Sequence, residues 1–252
     1  MSQAAEARDR TPDLDWLRTL MTSRRSIRGY RPDPVPRGVI AEILDVACAS
    51  PSSMNTQPWH FYVITGEPLD EIRRGNSERM LAGEPVVRDI DVEEEYTGVH
   101  RERQVEVAVQ LFTSMGIERH DRERRLDWTM RGFRQFDAPV SIAITYDRAL
   151  DRIAPIAHFD LGAVTYGLVL AAWAKGLGTV INGQGAMQAH VVRKHAGIAD
   201  EHRLITCVAL GYPDDEFPAN AVKSHRVPRS VNTTFVGFPP QETSVPERHL
   251  ST

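Results

Sequence analysis

The stretch Ser50-Pro51-Ser52-Ser53-Met54-Asn55-Thr56-Gln57-Pro58-Trp59-His60-Phe61 places small hydroxyl and amide residues between two prolines and runs straight into an aromatic-led segment. Proline fixes its own φ and drives the residue before it into extended space, so few loop shapes remain open. A polar loop stiffened in this way can present hydroxyls and backbone groups to a flat polar ligand. The plain alternative is a helix-to-strand connection made of ordinary turn residues, and the stretch alone does not separate the two.

Working outward, Val39-Ile40, Ile43-Leu44 and Ala47 recur at three and four after the Pro32, Pro34 and Pro36 cluster, which predicts an amphipathic helix leading into the loop. Trp59 to Thr65 reads as a strand, and Pro68 opens the next helix. Upstream, Asp13 is a plausible N-cap for a helix over 13–21 that delivers the chain to Arg24. Downstream, 139–145 reads as a buried strand, and 179–181 as a short one closing on Asn182-Gly183-Gln184-Gly185. A helix follows from about Met187, and Leu204 to Leu210 is the last clear strand. The segment 153–175 is the most apolar helix of the chain and is expected to be buried on all sides, against a core and a second subunit. Alternating helices and strands give an α/β or α+β sandwich with one sheet.

Residues 83–136 are highly charged, with few turn signals and weak helical patterns over 99–115 and 119–136. So long an excursion between a helix and a strand is expected to cover something, here as a helical cap over a ligand site. A surface hairpin without ligand contact is the alternative. Residues 1–12 read as a disordered tail, 13–235 as the folded domain, and 236–252 as a C-terminal arm.

Composition narrows the function classes. The 252 residues are 41% hydrophobic and 25% charged, as in an ordinary soluble globular protein. A net charge of −4 without a long basic stripe argues against nucleic acid as a partner. Cys48 and Cys207 read as buried thiols rather than a disulfide. The first ten residues hold no apolar core of a secretory signal, and no apolar run is expected to span a bilayer, so a cytoplasmic enzyme without membrane contact is the default. There is no G-x-G-x-x-G, G-x-S-x-G or H-E-x-x-H, and His190 and His195 lie off one helical face, so no metal site is expected.

Two further segments complete the pattern: Arg24-Arg25-Ser26-Ile27-Arg28-Gly29-Tyr30 and Lys223-Ser224-His225-Arg226-Val227-Pro228. Arg24, Arg25 and Arg28 repel one another unless a phosphate or an electron-rich ring lies between them, though a solvated basic loop is the simpler alternative. The order Arg-Arg-Ser-x-Arg, Ser-Pro-Ser-Ser-x-Asn-x-Gln-Pro-Trp and Arg-x-Pro resembles the FMN-dependent nitroreductase family over roughly Leu14 to Phe235, within the branch that reduces nitroaromatic acids and drugs.

That resemblance implies an α+β three-layer sandwich, a central, mostly antiparallel sheet flanked by helices, in an intertwined homodimer. It puts Arg24 and Ser26 around the FMN phosphate and ribityl chain, with Arg25 in the same motif, and has Arg226 close the phosphate site. Lys223 is a second candidate there, because the spacing aligns two ways. Arg28 matches the cation beside flavin N1 and O2, which stabilises charge on the reduced ring. Pro51, Ser52, Ser53, Met54, Asn55 and Gln57 match the loop that reaches the flavin held mainly by the other subunit. Asn182-Gly183 falls where a backbone N–H meets flavin N5, a place that suits glycine because no Cβ keeps the ring away. Gly132 departs from the family, standing where many members carry Asn, so that residue's contact is missing or replaced here.

The implied activity is NADPH- or NADH-driven reduction of a small electron acceptor by alternate binding at one flavin face. A nitroaromatic compound is the natural acceptor, and quinones are also within the family's range. Tyr96, Trp128, Phe133 and Phe136 are candidates for a substrate wall, although aromatics at helical spacing also serve as core. Reductive dehalogenation is an alternative. Glu94, Glu95 and Tyr96 occur, but not in the Glu, Tyr and Lys spacing of iodotyrosine deiodinases. An oxygen-dependent, flavin-consuming enzyme and a flavin-binding protein without turnover are the others.

Overall fold

Strict alternation builds the centre of the fold. In 140–147 the residues Val140, Ile142, Ile144 and Tyr146 join one buried cluster, while Ala143 joins another on the opposite side. A strand with both faces buried must have cover above and below. The computed structural model describes residues 13–91 and 95–239. The expected disordered tail over 1–12, Glu94, and 240–252 of the expected arm lie outside the described residues.

Four strands form one antiparallel sheet: β1 (Trp59–Ile64), β2 (Val140–Asp147), β3 (Gly178–Asn182) and β4 (His202–Gly211), in the order β1-β2-β4-β3. Eight α-helices lie among the described residues. They are α1 (Leu14–Ser23), α2 (Arg37–Cys48), α3 (Glu67–Leu81), α4 (Gly98–Ser114), α5 (Arg122–Phe133), α6 (Ala154–Ala174), α7 (Ala189–Ala196) and α8 (Arg229–Asn232). Helices α2 and α6 cover one face of the sheet, and α3 and α7 cover the other, which is the expected three-layer α+β arrangement. Asp13 caps α1 as expected, its carboxylate accepting from the Asp15 and Trp16 N–H groups at 2.8 and 3.2 Å.

Helix α6 departs from the expectation of burial on all sides. Leu161, Val164, Leu168 and Ala172 point into the core, but Phe159 is 80% exposed and Ile156 and Tyr166 are also open. One helix on one sheet can bury only one stripe, and no other described element of the chain covers the rest. By length and composition alone, 148–174 could cross a membrane, at a mean hydropathy of 1.4, contrary to the expectation of no such run. It is nonetheless the helix that closes the sheet's core, and it carries a buried aspartate, Asp160.

The 83–136 excursion has two parts. Its first leg is a strap across the body: Val87 exchanges hydrogen bonds with Met187 and Ala189, each at 2.9 Å. Asp89 there pairs with Arg193 at 2.7 Å and accepts the Leu204 N–H at 2.8 Å. The second part is the α4–α5 hairpin. Arg124 closes it by donating to the Met115 and Gly116 carbonyls at 2.8 and 2.7 Å.

Candidate functional site

The first basic segment is laid along the exposed edge of β3. Ser26 forms a parallel bridge with Thr179, and the Ile27 N–H donates to the Thr179 carbonyl at 2.9 Å. Running parallel to β3 carries Arg28 in the direction of Gly183. The backbone there is pinned by Asn220, a buried residue whose Oδ1 accepts from the Arg28 and Gly29 N–H groups at 2.7 and 3.1 Å. Its Nδ2 donates to the Gly29 and Asp214 carbonyls, both at 2.8 Å. From α5, Arg131 donates to the Arg28 carbonyl at 3.0 Å, pairs with Asp137 at 3.2 Å, and lies over the Phe217 ring. The Arg28 guanidinium is half-buried, and that burial holds it below its ordinary pKa, with Tyr30 pulling the other way.

Arg226, about two hundred residues from Arg24 in sequence, is near enough for its charge to act on Arg24. Burial lowers the pKa of Arg24, Tyr166 raises it, and the charge of Arg226 lowers it further. Among the described residues none of Arg24, Arg28, Lys223 or Arg226 has a carboxylate within ion-pair distance. Like charges brought together without a counter-ion suit an anionic group such as a phosphate. Arg226 is exposed and turns back on its own loop, donating to the Ser224 and His225 carbonyls at 3.0 and 3.1 Å. Next to it, His225 meets Glu106 of α4 at 2.8 Å, which ties this segment to the hairpin. Lys223 is exposed. Arg25 turns elsewhere: its guanidinium lies over Trp173 of α6 at 5.9 Å, and its Nε is buried without a hydrogen-bond partner among the described residues.

The turn after β3 is held from beneath and open above. Asn182-Gly183 was expected to offer a backbone N–H; the Asn182 side chain points inward, donating to the Gly132 carbonyl at 2.8 Å and to Gln135 Oε1 at 3.0 Å. Gln135 in turn donates to the Gly185 carbonyl at 3.1 Å. At Gly183 a Cβ would meet nothing within 4 Å, so a planar ring can approach its backbone directly. Arg131 holds Arg28, and Gly132 accepts from Asn182; adjacent residues of α5 therefore fix the two segments expected to meet the ring. Gly132 itself is crowded: a Cβ there would sit 2.0 Å from Gln184 Oε1, so the Gln184 side chain fills the space that another residue's side chain would take.

The Pro51–Gln57 loop lies elsewhere in the chain. Asp160, 3% exposed within α6, accepts the Ser53 N–H with both carboxylate oxygens, at 3.0 and 3.1 Å. Ser52 Oγ accepts the Gln57 N–H at 2.9 Å. Met54, Asn55 and Gln57 have φ of 51°, 59° and 46°, a left-handed backbone that costs non-glycine residues of order 1–3 kcal/mol each. Met54 is 93% exposed. The tight, strained loop thus projects its tip outward. Asp160 and Trp173 mark the loop's seat and Arg25's seat on α6, ~20 Å apart along the helix.

Of the four aromatics expected to line a substrate wall, Phe133 and Phe136 are core residues, only 3% and 7% exposed. Phe136 packs with Ala138, Val180 and Ala209, which corrects that expectation: the turn into β2 draws this ring into the core, and Phe133 is buried at the end of α5. Trp128 is half-buried, and Tyr96 is exposed. Sequence reasoning missed Asn220, Arg131, Asp160 and Gln184. Only Asp160 carried a signal, as a lone carboxylate in an apolar helix.

Comparison with known proteins adds a second line of evidence. The sequence profile described as the Nitroreductase family matches residues 21–212. A chloronitrobenzene nitroreductase of Comamonas testosteroni is 32% identical over 232 residues, covering 89% of this chain and 99% of that one. A 4-nitrobenzoate reductase of Pseudomonas putida is 28% identical, covering 90% and 97%. Among solved structures, the FMN-dependent nitroreductase NfnB from Mycobacterium smegmatis in complex with NADPH superposes with a TM-score of 0.82 at 26% identity, covering 89% of this chain and all of that one.

Proposed function

Because the chain belongs to the nitroreductase family, we propose that it is a homodimeric, FMN-dependent NAD(P)H oxidoreductase that reduces nitroaromatic compounds. The observation that carries the reading is the basic segment around Arg24 and Arg28, laid along the β3 edge with no carboxylate within ion-pair distance of either arginine among the described residues, leading to the open backbone of Gly183. A cationic pair at one end and a bare glycine at the other fit a ligand that has a phosphate on one side and a flat ring on the other.

FMN, when bound, would supply the redox chemistry of hydride transfer between NADPH or NADH and the acceptor. The residues of this chain do the holding and the charge compensation. Arg24, Ser26 and Arg226 take the phosphate end, with Lys223 as an exposed auxiliary. Arg28, its backbone fixed by Asn220 and Arg131, offers a positive charge where electron density accumulates on the ring. Gly183 leaves its face clear for the ring. The 51–57 loop, turned outward on the strained Met54 tip, is the piece supplied to the partner subunit's site. The exposed face of α6 provides the dimer contact, since obligate homodimers bury ~2,000 Å² or more of largely apolar surface.

Nitroarenes are the acceptor class because the chloronitrobenzene and 4-nitrobenzoate enzymes are among the related proteins that match along most of both chains. Each nitro group accepts successive hydride equivalents, each with a proton, to give a hydroxylamine and water. Steady-state assays of FMN-reconstituted protein with nitrobenzene, 4-nitrobenzoate and benzoquinone, with product chromatography, test the reading. Hydroxylamine is expected from the nitroarenes. Turnover of the quinone alone would refute the nitroarene assignment.

A further inference from the structure

We infer that Gln184 is a positioning residue for Gly183, and that it acts by lying in the volume that Gly132 leaves free on α5. The inference rests on the reading of Gly183 as the residue facing the flavin ring.

The turn 182–185 is gripped at three of its four residues. Asn182 is tied to Gly132 and Gln135, and Gly185 is tied to Gln135 and, at 3.4 Å, to Asn76. Both of those grips act from beneath. Gln184, like Asn182, reaches α5 with its side chain, and its Nε2 lies 3.5 Å from the Thr129 carbonyl, one turn before Gly132. A hydrogen bond that long holds little by itself. Volume decides the matter. A Cβ on residue 132 would stand 2.0 Å from Gln184 Oε1, 2.7 Å from its Cδ and 3.0 Å from its Cβ. The amide end could swing away from such a Cβ. The Gln184 Cβ, fixed to the backbone, could not, so the strain would pass into the turn itself. Gly183 is bonded within the turn itself, its carbonyl accepting the Ala186 N–H at 3.2 Å, and it has open space above it. Its place against a ring is therefore set by its neighbours, and Gln184 is the immediate one.

The test is a cycle of Gln184→Ala, Gly132→Ala and the double variant in the full-length protein. Binding of FMN and of riboflavin is read by quenching of flavin fluorescence, alongside the melting temperature of each flavin-free variant. Each single change is expected to weaken FMN and riboflavin by the same factor, ~10-fold, because the turn meets the ring and not the phosphate. The double variant is expected to be no weaker than the worse single, since both changes break one contact. Singles within about twofold of wild type, or a double variant whose loss is the product of the two, would overturn the inference. So would a loss confined to FMN. If Gly132→Ala fails to fold, Gln184→Ala, which adds no atoms, still decides on the ring criterion. Wild-type protein that takes up neither flavin would instead overturn the functional reading on which the inference rests.

Discussion

Arg226 stands at the exposed end of the basic set, folded back on the Ser224 and His225 carbonyls. A charge-assisted hydrogen bond to a phosphate contributes about 1.5–3 kcal/mol, so Arg226→Ala is expected to weaken FMN binding by tenfold or more. Riboflavin, which has no phosphate, is expected to bind both proteins alike. Equal FMN affinity in mutant and wild type would remove Arg226 from the phosphate site. The two cysteines give a second residue-level expectation. Burial pushes the Cys207 thiol from 9.0 up to about 12, whereas Cys48 is exposed. Native protein should therefore react with a thiol reagent at one position, Cys48, and at both after unfolding. Because the folded state keeps the Cys207 proton that the unfolded chain releases, this group's contribution to stability is whole below pH 9.0. It falls as pH rises toward about 12. Labelling of both thiols in native protein would contradict the burial.

Helix α6 links the two halves of the proposed site, seating Ser53 through Asp160 and Arg25 through Trp173. Its outward face, Ile156 and Phe159 above all, is left bare by the chain's described elements. Phe159→Glu is expected to convert a dimer to monomers in sedimentation, and with the partner loop lost, to release FMN. A variant that stays dimeric would place the interface elsewhere. At this scale the sequence was most legible. A buried-strand run over 139–145 marked β2, apolar repeats at three and four marked α2, and Asp13 and Pro68 marked helix starts. The burial of α6 was not legible, because an apolar composition does not say which neighbour covers which side. The bonds of Asp160 and Gln184 were hidden for a related reason, since both depend on elements that meet only after folding.

Across the molecule, the sheet, the basic segment and the α4–α5 hairpin converge on the end of β3. The order of the polar motifs was readable from the chain because each has local chemistry: prolines stiffen one, clustered arginines mark another, and glycine opens the third. Their support was not readable. Asn220 lies nearly two hundred residues from the Arg28 backbone it pins, and Arg131 reaches Arg28 from the excursion. Phe133 and Phe136 went the other way, with rings that suited a substrate wall by spacing and belong to the core by packing. The central claim is that one flavin, held by these segments, carries electrons from a nicotinamide to a nitroarene. Its most direct measurement is the visible absorbance of FMN-loaded protein under anaerobic conditions, first with NADPH or NADH and then with a nitroarene. The account predicts bleaching on the first addition and return of the oxidised spectrum on the second. A flavin that stays yellow with both nicotinamides, or stays bleached when the nitroarene is added, would contradict it.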